Sequence, residues 1–203
     1  MSDPGPALEA LLSELTRRGS PLAGHMRPGL HVDEIGSRMS AAGARPHADV
    51  VSLYTWHDGF DRFRVPTSPE GLVSLVPSHP EFNPLDETLS LFARWREMAE
   101  ADGAVPVRQA DGSWSAPDPE QVWSRSWFPV FQGGGSEVIF ISNDVDHAGA
   151  IWLHPVQDAP RRLYDSLGDA ADAVRIALID GRLTLDETGA FTLESTMSAG
   201  IEI

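Results

Sequence analysis

Apolar side chains return along this chain in two different rhythms. In the first half they recur every three or four residues, the spacing of one face of a helix. Leu8, Leu11, Leu12 and Leu15 fall this way in "PALEALLSELTRRG", between Pro6 at its start and Arg17, Arg18 and Gly19 at its end. That pattern predicts an amphipathic helix with a glycine stop. "SPLAGHMRPG" is a connection rich in breakers. A second helix is expected over about Val32 to Ala42. A third starts from Pro46 in "PHADVVSLYTWHDG", with Val50, Leu53, Tyr54 and His57 along one face. Pro66, Pro69, Pro77 and Pro80 then punctuate the chain densely, and "GLVSLVP" between them suggests one short strand. "PLDETLSLFARWREMAEADG" predicts a long helix, with Leu89, Phe92, Trp95 and Met98 at helical intervals and Gly103 as the stop.

Ala104 to Ser126 shows no clear period and reads as an elaborated loop, with room for a short hairpin around "ADGS". The rhythm then changes. "WFPVF", "SEVIFIS" and "GAIWLHP" are short apolar runs divided by glycine and acidic loops, as adjacent and mostly buried strands would be. Ser166 to Ile179 returns to helical spacing, with Leu167, Ala170, Ala171, Val174 and Leu178 toward the core. "RLTLD" and "AFTLES" around "ETG" predict a terminal hairpin, or a loop and one strand. The expected fold is α+β, with N-terminal helices packed on a mainly antiparallel central sheet. Residues 1–28 read as a helical extension, 29–195 as a single domain and 196–203 as a tail.

With 203 residues, 41% apolar content and six tryptophans, the chain can build a sizeable core. Its net charge of −15 comes from thirty acids against fifteen bases, all of them arginine. A field of that sign disfavours nucleic acid and anionic membrane and attracts basic proteins. Cysteine is absent, which excludes disulfides, zinc–thiolate sites and thiol catalysis. The opening "MSDPGPALEA" lacks the basic start and apolar core of a signal peptide, so a cytoplasmic location is expected.

Most candidate chemistry has a simpler explanation. The glycines of "GGGS", Gly133 to Ser136, run into a strand rather than the helix a phosphate cradle requires, so a hairpin turn is expected. "HPE", His79 to Glu81, is half of a zinc deaminase signature whose cysteine half is missing. "NDVDHAG", Asn143 to Gly149, begins like a calcium loop. However, Ala148 and Pro155 stand where oxygen ligands belong, so a polar loop between strands is expected and no metal. In "LYTWHDGF", Gly59 sits where a left-handed residue ends a helix, and His57 suits the negative end of a helix dipole. Asp58 can hydrogen-bond its own turn, and Trp56 and Tyr54 can pack.

The order of these segments carries more than any one of them. A helix running into Trp56–Gly59, a proline-broken stretch, the "LFARWREM" helix, a strand opening on Trp127, Phe128 and Pro129, a glycine turn and a strand ending at Asp144 together resemble the SUKH superfamily. That group holds Smi/Knr-like fungal cell-wall regulators and many bacterial immunity proteins. The resemblance spans about Gly29 to Gly181. The N-terminal helix and the stretch from Ala104 to Ser126 depart from it and leave the subfamily open. It implies a binding module without catalysis or cofactor, in which Gly59, Trp127 and Pro129 are structural. Bacterial members look like antidotes that cap a toxin, often a nuclease, which agrees with the acidic charge. The expected partner-binding residues are Trp56, Asp58 and Phe60 along a groove, with Asp144 and Asp146 as its acidic rim. Two alternatives stand beside this reading. One is a regulatory or adaptor module of the same fold. The other is an enzyme, for which His57, Asp58 and Asp61 would have to converge in a deep pocket.

Overall fold

The computed structural model of the chain describes residues 3–60, 82–100, 107–108, 114–115, 124, 126–132, 137–154, 160–186, 189 and 191–193. These residues form an α+β structure with antiparallel sheets. The first helix, α1 (Gly5–Arg17), buries the leucines its spacing marks, Leu8, Leu11, Leu12 and Leu15. Gly19, with φ of 89°, ends it in the left-handed conformation. After a short 3-10 turn, β1 (Met26–Pro28) leads to α2 (Val32–Ala41), which buries Ile35 and Met39. α3 (Ala48–Trp56) follows and passes without a loop into β2 (His57–Phe60), which pairs antiparallel with β1.

α4 (Leu85–Glu100) buries Leu85, Phe92 and Trp95, while Met98 is 43% exposed. A two-stranded hairpin of β3 (Val107–Arg108) and β4 (Trp114–Ser115) lies in the aperiodic segment, around the expected "ADGS" turn. The main sheet is a meander of β5 (Trp127–Gln132), β6 (Val138–Ser142), β7 (Ile151–His154) and β8 (Arg161–Tyr164). α5 (Leu167–Ile179) then crosses back, and β9 (Leu183–Leu185) with β10 (Phe191–Leu193) makes the terminal hairpin. The expected strand in "GLVSLVP", the "GGGS" turn, the "HPE" match, the Gly103 stop and the 196–203 tail lie outside the described residues.

Side chains alternate across the meander and so divide its two faces. Ile139 and Ile151 point toward α1 and α5. Together with Leu8, Leu11, Phe131, Tyr164, Leu167, Ala170 and Ala171 they line an almost wholly apolar cavity of about 20 Å³. The opposite face carries Trp127, Phe140, Trp152 and His154. Trp95 of α4 packs there against His154, with ring centroids 5.0 Å apart.

Of the segment 1–28, expected as an extension, the described residues 3–28 are built into this core. The α1 leucines belong to the same buried cluster as the sheet, and β1 completes a sheet whose other strand is residues 57–60. Removing the segment would therefore uncover the sheet and unpair β2.

Two helices start in the same unusual way. His31 caps α2 and His47 caps α3, each through a ring Nδ1 that accepts the backbone N–H two residues on, at 3.3 and 3.2 Å. A ring nitrogen can accept only when unprotonated. His47 is buried, and burial pushes its pKa below the ordinary 6.5, against the opposing pull of the Asp49 charge. The unfolded chain therefore binds this proton more readily. The contribution of His47 to stability is complete above about pH 6.5 and is lost as pH falls through its lower folded pKa. His47→Asn supplies a neutral cap and should flatten the fall of melting temperature between pH 7.5 and 5.5 relative to the unmodified chain. Parallel pH profiles for the two proteins would show that His47 does not act as a neutral cap.

Candidate functional site

In the segment that concentrates possible chemistry, Trp56 closes α3 and His57 to Phe60 form a strand rather than a helix stop. His57 is already extended, with φ −151° and ψ 145°, so the helix ends one residue earlier and without glycine. Its ring Nδ1 lies 2.8 Å from the Arg27 carbonyl on the neighbouring strand, so His57 ties β2 to β1. Gly59 is left-handed, with φ 74°, but its task is close approach. A Cβ there would sit 2.4 Å from the Pro84 nitrogen and 2.5 Å from the Asn83 carbonyl carbon. Phe60 donates its N–H to the Phe82 carbonyl at 3.0 Å, fastening the chain before α4 to the strand.

Asp58 is 3% exposed and holds two elements at once. Its Oδ1 accepts the N–H of Leu85, the first residue of α4, at 2.8 Å. Its Oδ2 pairs with the Arg27 guanidinium at 3.0 Å. A carboxylate at a helix N-terminus satisfies one of the orphaned N–H groups and faces the positive end of the dipole. Burial nonetheless raises the Asp58 pKa above its ordinary value. The Leu85 N–H and the Arg27 and Arg38 charges only partly offset that effect. Tyr54 is wholly buried beside it. Its hydroxyl donates to Thr88 Oγ1 at 2.7 Å, and burial raises its pKa strongly.

Of the expected groove, only Trp56 meets solvent. It is half-buried at the end of α3, donates from Nε1 to Glu9 at 2.7 Å and stands edge-on to His57. Asp58 and Phe60 face inward, with Phe60 6% exposed and packed edge-on against Phe82. Neither edges a groove, because cap formation and aromatic packing use them. Nor do the two halves of the expected site meet. Asn143 donates to the Arg45 carbonyl at 3.1 Å, just ahead of α3, whereas Trp56 closes it. Those ends are about 13 Å apart along the helix. For the enzymatic alternative, His57 and Asp58 belong to this strand framework and Asp61 lies outside the described residues. Among the described residues, no group of three or more His, Asp or Glu side chains is placed to hold a metal ion.

The second half of the expected site is the β6–β7 loop. Asp144 is half-buried and collects hydroxyl donors from Ser126 and Ser142 and the indole N–H of Trp127, the last two at 3.0 and 3.1 Å. It ties the start of β5 to the end of β6, so its oxygens are already engaged within the fold. Asp146 is exposed, and Val145 between them is 97% exposed. Trp127 stacks on Phe140 at 4.2 Å, and Pro129 lies opposite Phe140 in the register, beside a β-bulge. Sequence reasoning missed the buried caps Asp49 and Asp58. It also missed the half-buried Trp152, which lies parallel to Phe140 with centroids 6.4 Å apart. The alternation of "AIWLH" was the available signal, since it places Trp152 opposite the isoleucines that face the helices.

The chain matches no protein-family model and no curated protein. No helix among the described residues is long and apolar enough to cross a membrane.

Three substitutions test this geometry. Asp58→Ala leaves the buried Leu85 N–H without its acceptor and should lower unfolding free energy by about 1–3 kcal/mol. Asp58→Asn keeps an acceptor and relieves a buried charge, and should cost less than about 1 kcal/mol. Equal losses in denaturant titrations would contradict the cap. Gly59→Ala combines a left-handed residue, about 1–2 kcal/mol, with a backbone clash and should cost more than either alone. Unchanged stability would mean that residues 82–84 do not pack on the strand as described.

Proposed function

We propose that this chain is a SUKH-like protein-binding module that acts in the cytoplasm and neutralises a basic, nuclease-type toxin by stoichiometric binding. The observation that carries the reading is the acid excess, a net charge of −15 from thirty acids against fifteen arginines. A nuclease holds a polyanion and is correspondingly basic, so an acidic cover is drawn to the surface that binds its substrate. The motif order that resembles the SUKH superfamily supports the reading independently. The α+β arrangement is compatible with it, and the motif residues Gly59 and Trp127 make specific structural contacts here. Complementary charge accelerates encounter, and a few apolar or aromatic anchors set the lifetime of the complex. Bond breaking is no part of this reading; binding alone blocks the toxin.

The test is direct. The purified product of a toxin gene adjacent to this one should form a one-to-one complex with the chain, and co-expression should rescue growth. Its association rate should fall by about tenfold or more between 50 and 500 mM salt, while dissociation changes little. No complex at low salt together with no rescue, or turnover of a small molecule by the purified chain, would overturn the proposal. Tight binding to a host signalling or envelope protein instead would assign the chain to the regulatory alternative.

A further inference from the structure

The tip of the β6–β7 loop differs from the rest of the described surface. Val145 is 97% exposed, whereas the other large exposed apolar residues, Val32, Met98, Ile176 and Ile179, lie between 43% and 52%. An isolated exposed valine is ordinary. This one stands on a rigid support. The Asp144 carboxylate draws in Ser126, Trp127 and Ser142 below the tip. The turn is closed by the His147 N–H on the Asp144 carbonyl at 3.0 Å and by the Gly149 N–H on the Ser142 carbonyl at 2.8 Å. Asp146 projects beside Val145, and the exposed His147 ring lies 5.5 Å from the Trp152 ring. The Trp152 Nε1 atom is shielded from solvent and has no hydrogen-bond acceptor. A donor so placed is a standing penalty, and an acceptor brought by a partner removes it.

We propose that Val145, Asp146 and Trp152 form the docking surface for the basic protein partner. This assignment rests on the functional reading above and moves the contact away from Trp56, Asp58 and Phe60. Val145 enters an apolar depression on the partner. Asp146 meets a lysine or arginine at its rim. A partner oxygen beside the His147 and Trp152 rings gives the Trp152 indole N–H its missing acceptor. Because the loop is already held by Asp144, little ordering is required on binding. A second copy of this chain is the wrong occupant, since each copy carries −15 and the acidic tips would repel.

The experiment uses the full chain and the purified toxin domain encoded beside it, followed by surface plasmon resonance. Val145→Ser should speed dissociation about tenfold, as loss of a central anchor does. Asp146→Asn should slow association severalfold and weaken its salt dependence. Trp152→Phe keeps an aromatic side chain beside Phe140, removes the indole N–H and should weaken binding severalfold while the chain stays folded. The control Ile176→Ser/Ile179→Ser, on the outer face of α5, should bind as the unmodified chain does. If the unmodified chain forms no complex, the functional reading fails and this surface with it. If it binds and the Val145, Asp146 and Trp152 variants bind equally well, only the surface assignment fails. Concentration-dependent self-association abolished by Val145→Ser would overturn the choice of occupant.

Discussion

Two buried carboxylates at either end of one segment organise the helical half of this fold. Asp49, in the first turn of α3, accepts the N–H of Leu167 at the start of α5 at 3.3 Å. Asp58, in β2, does the same for Leu85 at the start of α4. Each helix thus begins against a carboxylate supplied from elsewhere in the chain, 27 positions away for α4 and 118 for α5. Desolvating a carboxylate is unfavourable, and the cost is met here because the acceptor replaces water for an orphaned helix donor. Arg27 adds a counter-charge at Asp58. A helix packed only by apolar contact can slide or rotate by a fraction of a turn. One that begins on a fixed oxygen cannot. The α3–β2 segment therefore sets the register of α4 and α5, and through them of both faces of the meander.

This arrangement changes the meaning of the residues that look most chemical. Trp56, His57, Asp58 and Gly59 resemble an active cluster because a histidine and an aspartate stand beside aromatics. Their partners are backbone groups or structural neighbours: Arg27 for His57 and Asp58, Leu85 for Asp58, and the chain at residues 83–84 for Gly59. Such a cluster cannot be rearranged for a ligand without loosening α4. The loop after β6 has the opposite character. Its own anchoring acid, Asp144, accepts three hydrogen bonds from the fold, whereas Asp146 and Val145 are presented with no structural duty among the described contacts.

The helices were legible because their apolar period is strong. The leucines of α1 and the Leu167–Leu178 face of α5 are buried as their spacing requires. The three apolar strands were legible as short continuous apolar runs, which the structure buries almost throughout. β2 was not, because four residues cannot show a period and their pairing with β1 joins positions about thirty apart. β8, "RRLY", was missed because its two arginines are exposed and only its second half leans on the core. Asp58 was misread because an aspartate after a helix is usually a turn former. Only the tertiary approach of α4 makes it a buried cap. Gly59 was singled out correctly and for the wrong cause: its positive φ is real, but it serves chain crossing rather than helix termination.

The division of the acids into two classes also bears on how charge can act in binding. A carboxylate that already accepts three internal donors, such as Asp144, still contributes to the long-range field but has little acceptor capacity left for a partner cation. An exposed one, such as Asp146, can do both. Long-range attraction depends on the sum of all the acids and tolerates their exchange, so it governs encounter and decays with salt. Short-range capture depends on which few groups remain free at a rigid site. A single neutralised surface acid should therefore barely alter steering unless it is one of these. In the proposed reading the net charge would draw in a basic partner, and the pinned loop would hold it.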